Sequence, residues 1–169
     1  GQRIGLVGPN GVGKSTLLEE VSAALPSYET LEEPYALLES DGYEHTDPPA
    51  LQDFQAQLER SLEALGESGA RVLCDRCPAD VLAYLLTHDD AEAFELNEWL
   101  EAAREAMQSL DLVVFVPLEE PDRIALPAHE EARLRRRVHD KLEQLLLDDA
   151  YGLGVDVLTI QEISDEEEY

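Results

Sequence analysis

The sequence predicts an α/β fold in three layers, a parallel sheet with helices on both faces, and three observations lead to it. Short apolar runs recur along the chain, segments of helical length separate them, and the first run leads directly into a glycine-rich turn that opens a helix. Such alternation lays successive strands side by side in one direction, and ligands of these sheets gather at the strands' carboxyl ends. With 169 residues, 44% of them hydrophobic, the chain is long and apolar enough to bury a core as one domain over residues 1–169.

The first strand is Arg3 to Val7, reading RIGLV, and GPNGVGKST follows at residues 8 to 16. This fits G-x-x-x-x-G-K-S, with Gly8, Gly13, Lys14 and Ser15 at the required positions directly after a strand. Gly8, Gly11 and Gly13 allow turns that a side chain would block, so that successive N–H groups of the loop, which also includes Pro9, Asn10, Val12 and Thr16, can converge on an anion. The helix Lys14 to Leu25 begins at the same point and adds the positive end of its dipole. Lys14 is expected to reach the β and γ phosphates of a nucleotide, and Ser15 a magnesium ion.

A weaker second strand, Tyr28 to Leu31, runs into Glu32-Glu33-Pro34-Tyr35. Residues 50–65 follow as an amphipathic helix, with Leu51, Phe54, Leu58, Leu62 and Leu65 on one face. The third strand, Ala70 to Cys74, ends in Asp75-Arg76-Cys77-Pro78, and the fourth, Leu112 to Val116, in Pro117-Leu118-Glu119-Glu120. Residues 131–147 form a second amphipathic helix carrying Leu134, Val138, Leu142 and Leu145, and Val155 to Ile160 form the fifth strand. A carboxylate and an arginine at strand ends beside a phosphate loop are what phosphoryl transfer needs: a proton acceptor for the attacking hydroxyl and a cation for the developing charge.

Charge narrows the function further. Twelve Lys and Arg against 38 Asp and Glu give a formal net charge of −26, a field that repels nucleic acid. No run of eighteen apolar residues is present, so no membrane is expected, and the cytoplasm is the expected compartment. Cys74 and Cys77 have the spacing of half a zinc or redox site, but no second pair accompanies them and His45, His88, His129 and His139 are scattered. Cys74 reads as a small buried hydrophobe.

Together GPNGVGKST, Glu33-Pro34, Asp75-Arg76-Cys77 and the arginine-rich RLRRR at residues 133–137 resemble the P-loop nucleoside and nucleotide kinases, in particular the deoxynucleoside kinases and the group that includes the ribosylnicotinamide kinases. The resemblance implies the P-loop NTPase fold, a five-stranded parallel sheet in the order 2-3-1-4-5, and transfer of the γ-phosphate of ATP, with Mg2+, to a hydroxyl of a nucleoside-like acceptor. It implies Glu33 as the base toward that hydroxyl, Asp75 near the magnesium, and Arg76 near the acceptor oxygen. In the lid, about residues 120–140, it implies arginines over the phosphates. Arg123 begins that loop, and Arg135 is nearest the apolar helix face while Arg133 and Arg136 point away from it. Tyr35, Phe54 and Tyr84 are the candidates for stacking on the acceptor's ring and Gln55 for reading its edge. A homodimer is compatible with the resemblance. Cys77 departs from it, standing where the deoxynucleoside kinases carry serine.

Rival readings lack their signatures. The loop wording also suits transporter ATPases, but there is no LSGGQ, and a GTPase would need N-K-x-D. A kinase fold that binds nucleotide for regulation and transfers nothing is the alternative, and the orientation of Glu33 discriminates: a carboxylate facing the cleft beside Arg76 favours transfer.

Overall fold

The computed structural model describes residues 2–9, 14–118 and 129–160, apart from the side chains of residues 15 and 129–131. Five strands form one parallel sheet in the order β2-β3-β1-β4-β5: β1 Arg3–Val7, β2 Glu29–Leu31, β3 Val72–Asp75, β4 Leu112–Phe115 and β5 Val157–Thr159. Val, Leu and Phe dominate β3 and β4, as expected of strands covered on both faces. Each strand is within three residues of its expected bounds, and the implied strand order is the observed one.

The alternation along β1 assigns the faces. Ile4 and Leu6 meet Leu17, Leu18 and Val21 of α1 (Lys14–Ala24). Gly5 faces the opposite side, where a β-carbon would come within 3.1 Å of Leu110 Cδ1 and 3.4 Å of Cys77 Cβ. Only glycine lets the helical layer approach the central strand that closely. That layer holds α3 (Leu51–Glu67), α4 (Pro78–Thr87), α5 (Leu96–Gln108) and α6 (His129–Leu142), with α2 (Pro34–Ser40) packed on α3. The core lies between it and the sheet, around Val7, Leu58, Val72, Leu82, Leu85, Met107, Phe115 and Leu142.

Three helices go beyond the two amphipathic segments described from periodicity. In α4 nearly every position is buried, from Pro78 through Val81, Leu82, Ala83 and Leu85, so no polar stripe marks it as amphipathic. α2 has only seven residues and starts at Pro34, whose ring suits the first helical turn. The second amphipathic segment also differs from expectation. Leu134 is 40% exposed, while Arg135, Val138, His139 and Leu142 are buried. The helix is rotated so that the arginine faces inward, and a π-helical turn, Glu143–Leu147, completes the segment.

At the amino-terminal edge of the sheet, Arg3 ties two helix ends together. Its guanidinium donates to the carbonyl oxygens of Leu65 (3.0 Å) and Ser109 (3.0 Å), to Ser68 Oγ (2.9 Å) and to Gly69 O (2.5 Å). Arg3 thus supplies a donor to Ser109 O at the end of α5 and adds to Leu65 O at the end of α3, which also accepts from the Ser68 amide (3.3 Å) and hydroxyl (2.8 Å).

Candidate functional site

Because the strands run parallel, their carboxyl ends deliver Gly8, Glu33, Asp75 and Arg76 to one edge. β1 lies beside β3 with Leu6 opposite Asp75, so the start of the phosphate loop and the Asp75-Arg76 turn are neighbours. The Arg76 amide donates to Leu6 O at 3.0 Å, which closes that turn against β1. Gly8 has φ 154°, a conformation that favours glycine, and Arg76 has φ 69°, unusual for any side-chain-bearing residue.

Lys14 is only 7% exposed, and its Nζ donates to Gly8 O. Burial pushes its pKa down to about 8, against the attraction of Asp80 and with Arg76 adding repulsion. Asp75, at the end of β3, is pushed up by burial and by the nearby Glu33, and Lys14 and Arg76 partly restore it. Pro9 is buried beside Gly8, and Thr16 is exposed on the first turn of α1. Asn10, Gly11, Val12, Gly13 and Arg123 lie outside the described residues, as does the side chain of Ser15.

Glu33 sits at the N-cap of α2 in the extended conformation that Pro34 imposes, with φ −61° and ψ 150°. Its Oε2 is 3.3 Å from Arg76 Nε. Both side chains line a cavity of about 410 Å³ together with Tyr35, Phe54, Gln57, Tyr84 and Leu134. This is the size of a small-molecule site. A second cavity, between α1 and the sheet, is lined by apolar side chains alone, such as Leu17, Val21 and Leu158, and holds no group that could do chemistry.

The expected aromatic residues therefore come together, in an arrangement that sequence could not give. Phe54 and Tyr84 stack on each other, 5.5 Å between centroids and parallel within 3°, so a planar ligand must lie against an outer face of the pair. The Arg76 guanidinium carbon is 5.5 Å from the centre of the Tyr84 ring. Tyr35 stacks on His45 at 3.9 Å, and both His45 nitrogens are buried without a hydrogen bond.

One expected position needs correction, and a second stands where its spacing put it, on the packed face of its helix. Gln55 is not among the cavity-lining residues; Gln57 is, because it lies one helical turn from Phe54 on the same face of α3, whereas Gln55 is rotated by about 100°. Gln57 is 8% exposed, and among the described residues no hydrogen bond engages its amide. Arg135 is buried in the packed face of α6 and does not line this cavity; its neighbour Leu134 does.

Sequence reasoning missed Asp80. It is 0% exposed, its Oδ1 accepts from the Gly8 amide at 3.1 Å, and its Oδ2 accepts from the Cys77 amide at 3.3 Å. Arg76 Nη1 lies 3.7 Å from the same Oδ1. Burial pushes this carboxyl up, while Lys14, Arg76 and the two amides oppose that shift. The available signal was an aspartate two residues after Pro78, at the third position of a helix, where a carboxylate reaches back to the N-cap amide.

The two cysteines are held as thiols. Both are free and buried, and burial pushes the Cys74 thiol up to about 12 and Cys77 well above its ordinary value, which leaves them inert.

A five-stranded parallel sheet in the order 2-3-1-4-5, with a phosphate-loop sequence leaving its central strand, defines a P-loop nucleotide-kinase-like fold. Residues 3–167 match the model of the AAA domain family, and the chain belongs to that family. Among curated proteins none matches its sequence. Among solved structures it is similar to NadR, crystallised with NAD and AMP-PNP, at 17% identity and a TM-score of 0.65 over 94% of this chain. It spans 44% of NadR, less than half of that protein's length. It is also similar to thymidylate kinase from Candida albicans (17% identity, TM-score 0.58, 94% of this chain and 83% of that one). The YorR protein of Bacillus subtilis, in complex with phosphorylated GDP, gives 15% identity and a TM-score of 0.61 over 94% of this chain and 84% of its own. At such identities the likeness establishes a shared fold. Among the described residues no helix is long and apolar enough to cross a membrane.

Proposed function

We propose that this chain is a small-molecule kinase that transfers the γ-phosphoryl group of ATP to a hydroxyl of a nucleoside-like acceptor. The observation that carries the reading is the Glu33 carboxylate, which lines the acceptor cavity beside Arg76. Glu33 takes the proton as the acceptor oxygen bonds to the γ-phosphorus and the bond from that phosphorus to the bridging oxygen breaks, releasing ADP. Lys14 neutralises the β and γ phosphates, and Arg76 neutralises charge on the oxygens in transfer. Arg135 and Arg123 are proposed to act from the lid, and residues 8–16 to cradle the phosphates.

A divalent cation is part of the reading. Asp75 ends β3 beside the start of the phosphate loop, where Glu33 and burial push its carboxyl up and Lys14 and Arg76 oppose that shift. Ser15 and Asp75 would hold Mg2+, which would supply charge neutralisation at the phosphates.

Charge also bears on the acceptor. The charged residues lining the cavity are one glutamate and one arginine, already facing each other, so a neutral hydroxyl compound fits better than one bringing a phosphate dianion. Gln57 presents an amide donor and acceptor to a heterocycle edge, and the Phe54–Tyr84 pair presents an apolar face. NadR, with the same fold, has also been crystallised with NR, which makes a nucleoside of that kind a reasonable first acceptor.

The test is an ATP-consumption screen over nucleosides, nucleoside monophosphates and ribosylnicotinamide, followed by Glu33→Gln on the acceptor found. The variant is expected to lose a factor of about 10² to 10⁴ in turnover with ATP affinity unchanged, whereas Glu32→Gln is tolerated. Wild-type turnover by Glu33→Gln would remove the base assignment. Tight ATP binding with no acceptor consumed would establish the regulatory alternative instead.

A further inference from the structure

Asp80 looks at first like a helix cap, since its Oδ2 reaches back to the Cys77 amide at the start of α4. Magnitudes argue against that as its whole purpose. Taking a carboxylate fully out of water costs several times what a capping interaction returns. A cap at the helix surface would leave its second oxygen hydrated, yet Asp80 is 0% exposed.

The second oxygen is engaged elsewhere. Oδ1 accepts from the amide of Gly8, the first residue of the phosphate loop, and faces Arg76 Nη1 at 3.7 Å. The opposite side of the same guanidinium meets Glu33, through Nε at 3.3 Å. Arg76 is thus held between two carboxylates, one buried in the protein and one in the cavity wall, and the planar fork of arginine suits such two-sided fixing. Its backbone is in the left-handed region at φ 69°, a strained conformation that persists only where surrounding contacts impose it. Two costs, a buried charge and a strained residue, fall on neighbouring groups between the donor and acceptor halves of the cleft.

We propose that Asp80 is a positioning residue that joins these halves, fixing the entry of the phosphate loop and the Arg76 guanidinium on a single carboxylate. This rests on the transfer reading for its kinetic consequence, though not for the contact itself. Without Asp80, Arg76 would lose its contact on the phosphate-loop side and keep Glu33 and the Tyr84 ring, both in the cavity wall, so it would be drawn away from the phosphate loop. Misplacement of that order reduces the rate of transfer while leaving the binding of each substrate largely intact.

The experiment is a double-mutant cycle on the full chain: wild type, Asp80→Asn, Arg76→Ala and the double variant. Three readouts apply to each: kcat with the acceptor from the screen, affinity for ATP by titration, and thermal unfolding. Asp80→Asn is expected to lower kcat about tenfold to a hundredfold. Its ATP affinity should change less than about threefold, and in the Arg76→Ala background the same substitution should change kcat by less than about threefold. An equal loss of kcat in both backgrounds would mean that Asp80 serves the fold alone and would overturn the proposal. If Asp80→Asn does not fold, Asp80→Ser, which retains an oxygen for the Gly8 amide, goes through the same cycle. A readout independent of turnover is the ¹⁵N–¹H resonance of the Gly8 amide, which donates to Asp80 Oδ1 and is expected to shift and to exchange faster in Asp80→Asn. If no acceptor is consumed the transfer reading fails, and this resonance still decides on Asp80, since an unchanged signal would refute the contact.

Discussion

Lys14→Met should stabilise the nucleotide-free protein while abolishing its use of ATP. The ammonium is buried with a pKa lowered from 10.5 to about 8, because desolvation outweighs its attraction to Asp80, Asp75 and Glu33. A depression of that size corresponds to about 3 kcal/mol against folding wherever both states carry the proton. The hydrogen bond to Gly8 O is lost in the variant and takes back about 1 kcal/mol. The net gain at pH 7 is then about 2 kcal/mol, which for a chain of this size raises the midpoint by about 4–8 °C.

The sign also fixes the pH dependence. Below pH 8 folded and unfolded Lys14 are both protonated and the cost is present in full. Between pH 8 and 10.5 the folded state releases the proton first, so wild type gains relative to the variant and the difference closes. The raised thiols of Cys74 and Cys77 begin to weigh against folding at alkaline pH, but equally in both proteins, and cancel from the difference. Scanning fluorimetry of the two proteins from pH 6 to about 10, with and without ATP, measures this. A variant less stable than wild type at pH 7, or a difference that does not change with pH, would refute the reasoning. A thermal shift from ATP as large in Lys14→Met as in wild type would remove Lys14 from the phosphate site.

Asp75→Asn is expected to raise the magnesium concentration needed for half-maximal turnover, and an unaltered magnesium titration would exclude Asp75 as a ligand. Arg3→Ala should destabilise the fold by about 2 kcal/mol through the hydrogen bonds lost at Ser109 O and Gly69 O. Urea denaturation measures that loss, and ATP affinity should stay at wild type because Arg3 lies at the opposite edge of the sheet from Gly8.

The sheet and the phosphate loop were legible along the chain because both are local in origin. A run such as Leu112 to Phe115 declares a buried strand by its own composition, and Gly8, Lys14 and Ser15 declare an anion site by spacing. Glu33 and Arg76 were legible at one remove, since parallel strands deliver their carboxyl ends to one edge whatever the helices do. The tertiary structure alone decided what depends on the rotation of one helix against another. It turned Gln57 and not Gln55 toward the cavity, left Leu134 at the cavity and out of the packed face, and stacked Phe54 on Tyr84 from two different helices. Asp80 shows the same limit most clearly. One-dimensional spacing marks it as a helix cap four residues from Arg76, while its contact with Gly8 arises only when α4 docks under the end of β1. A carboxylate's partners across a fold are set by packing, and residues 72 positions apart carry no periodicity that could reveal them.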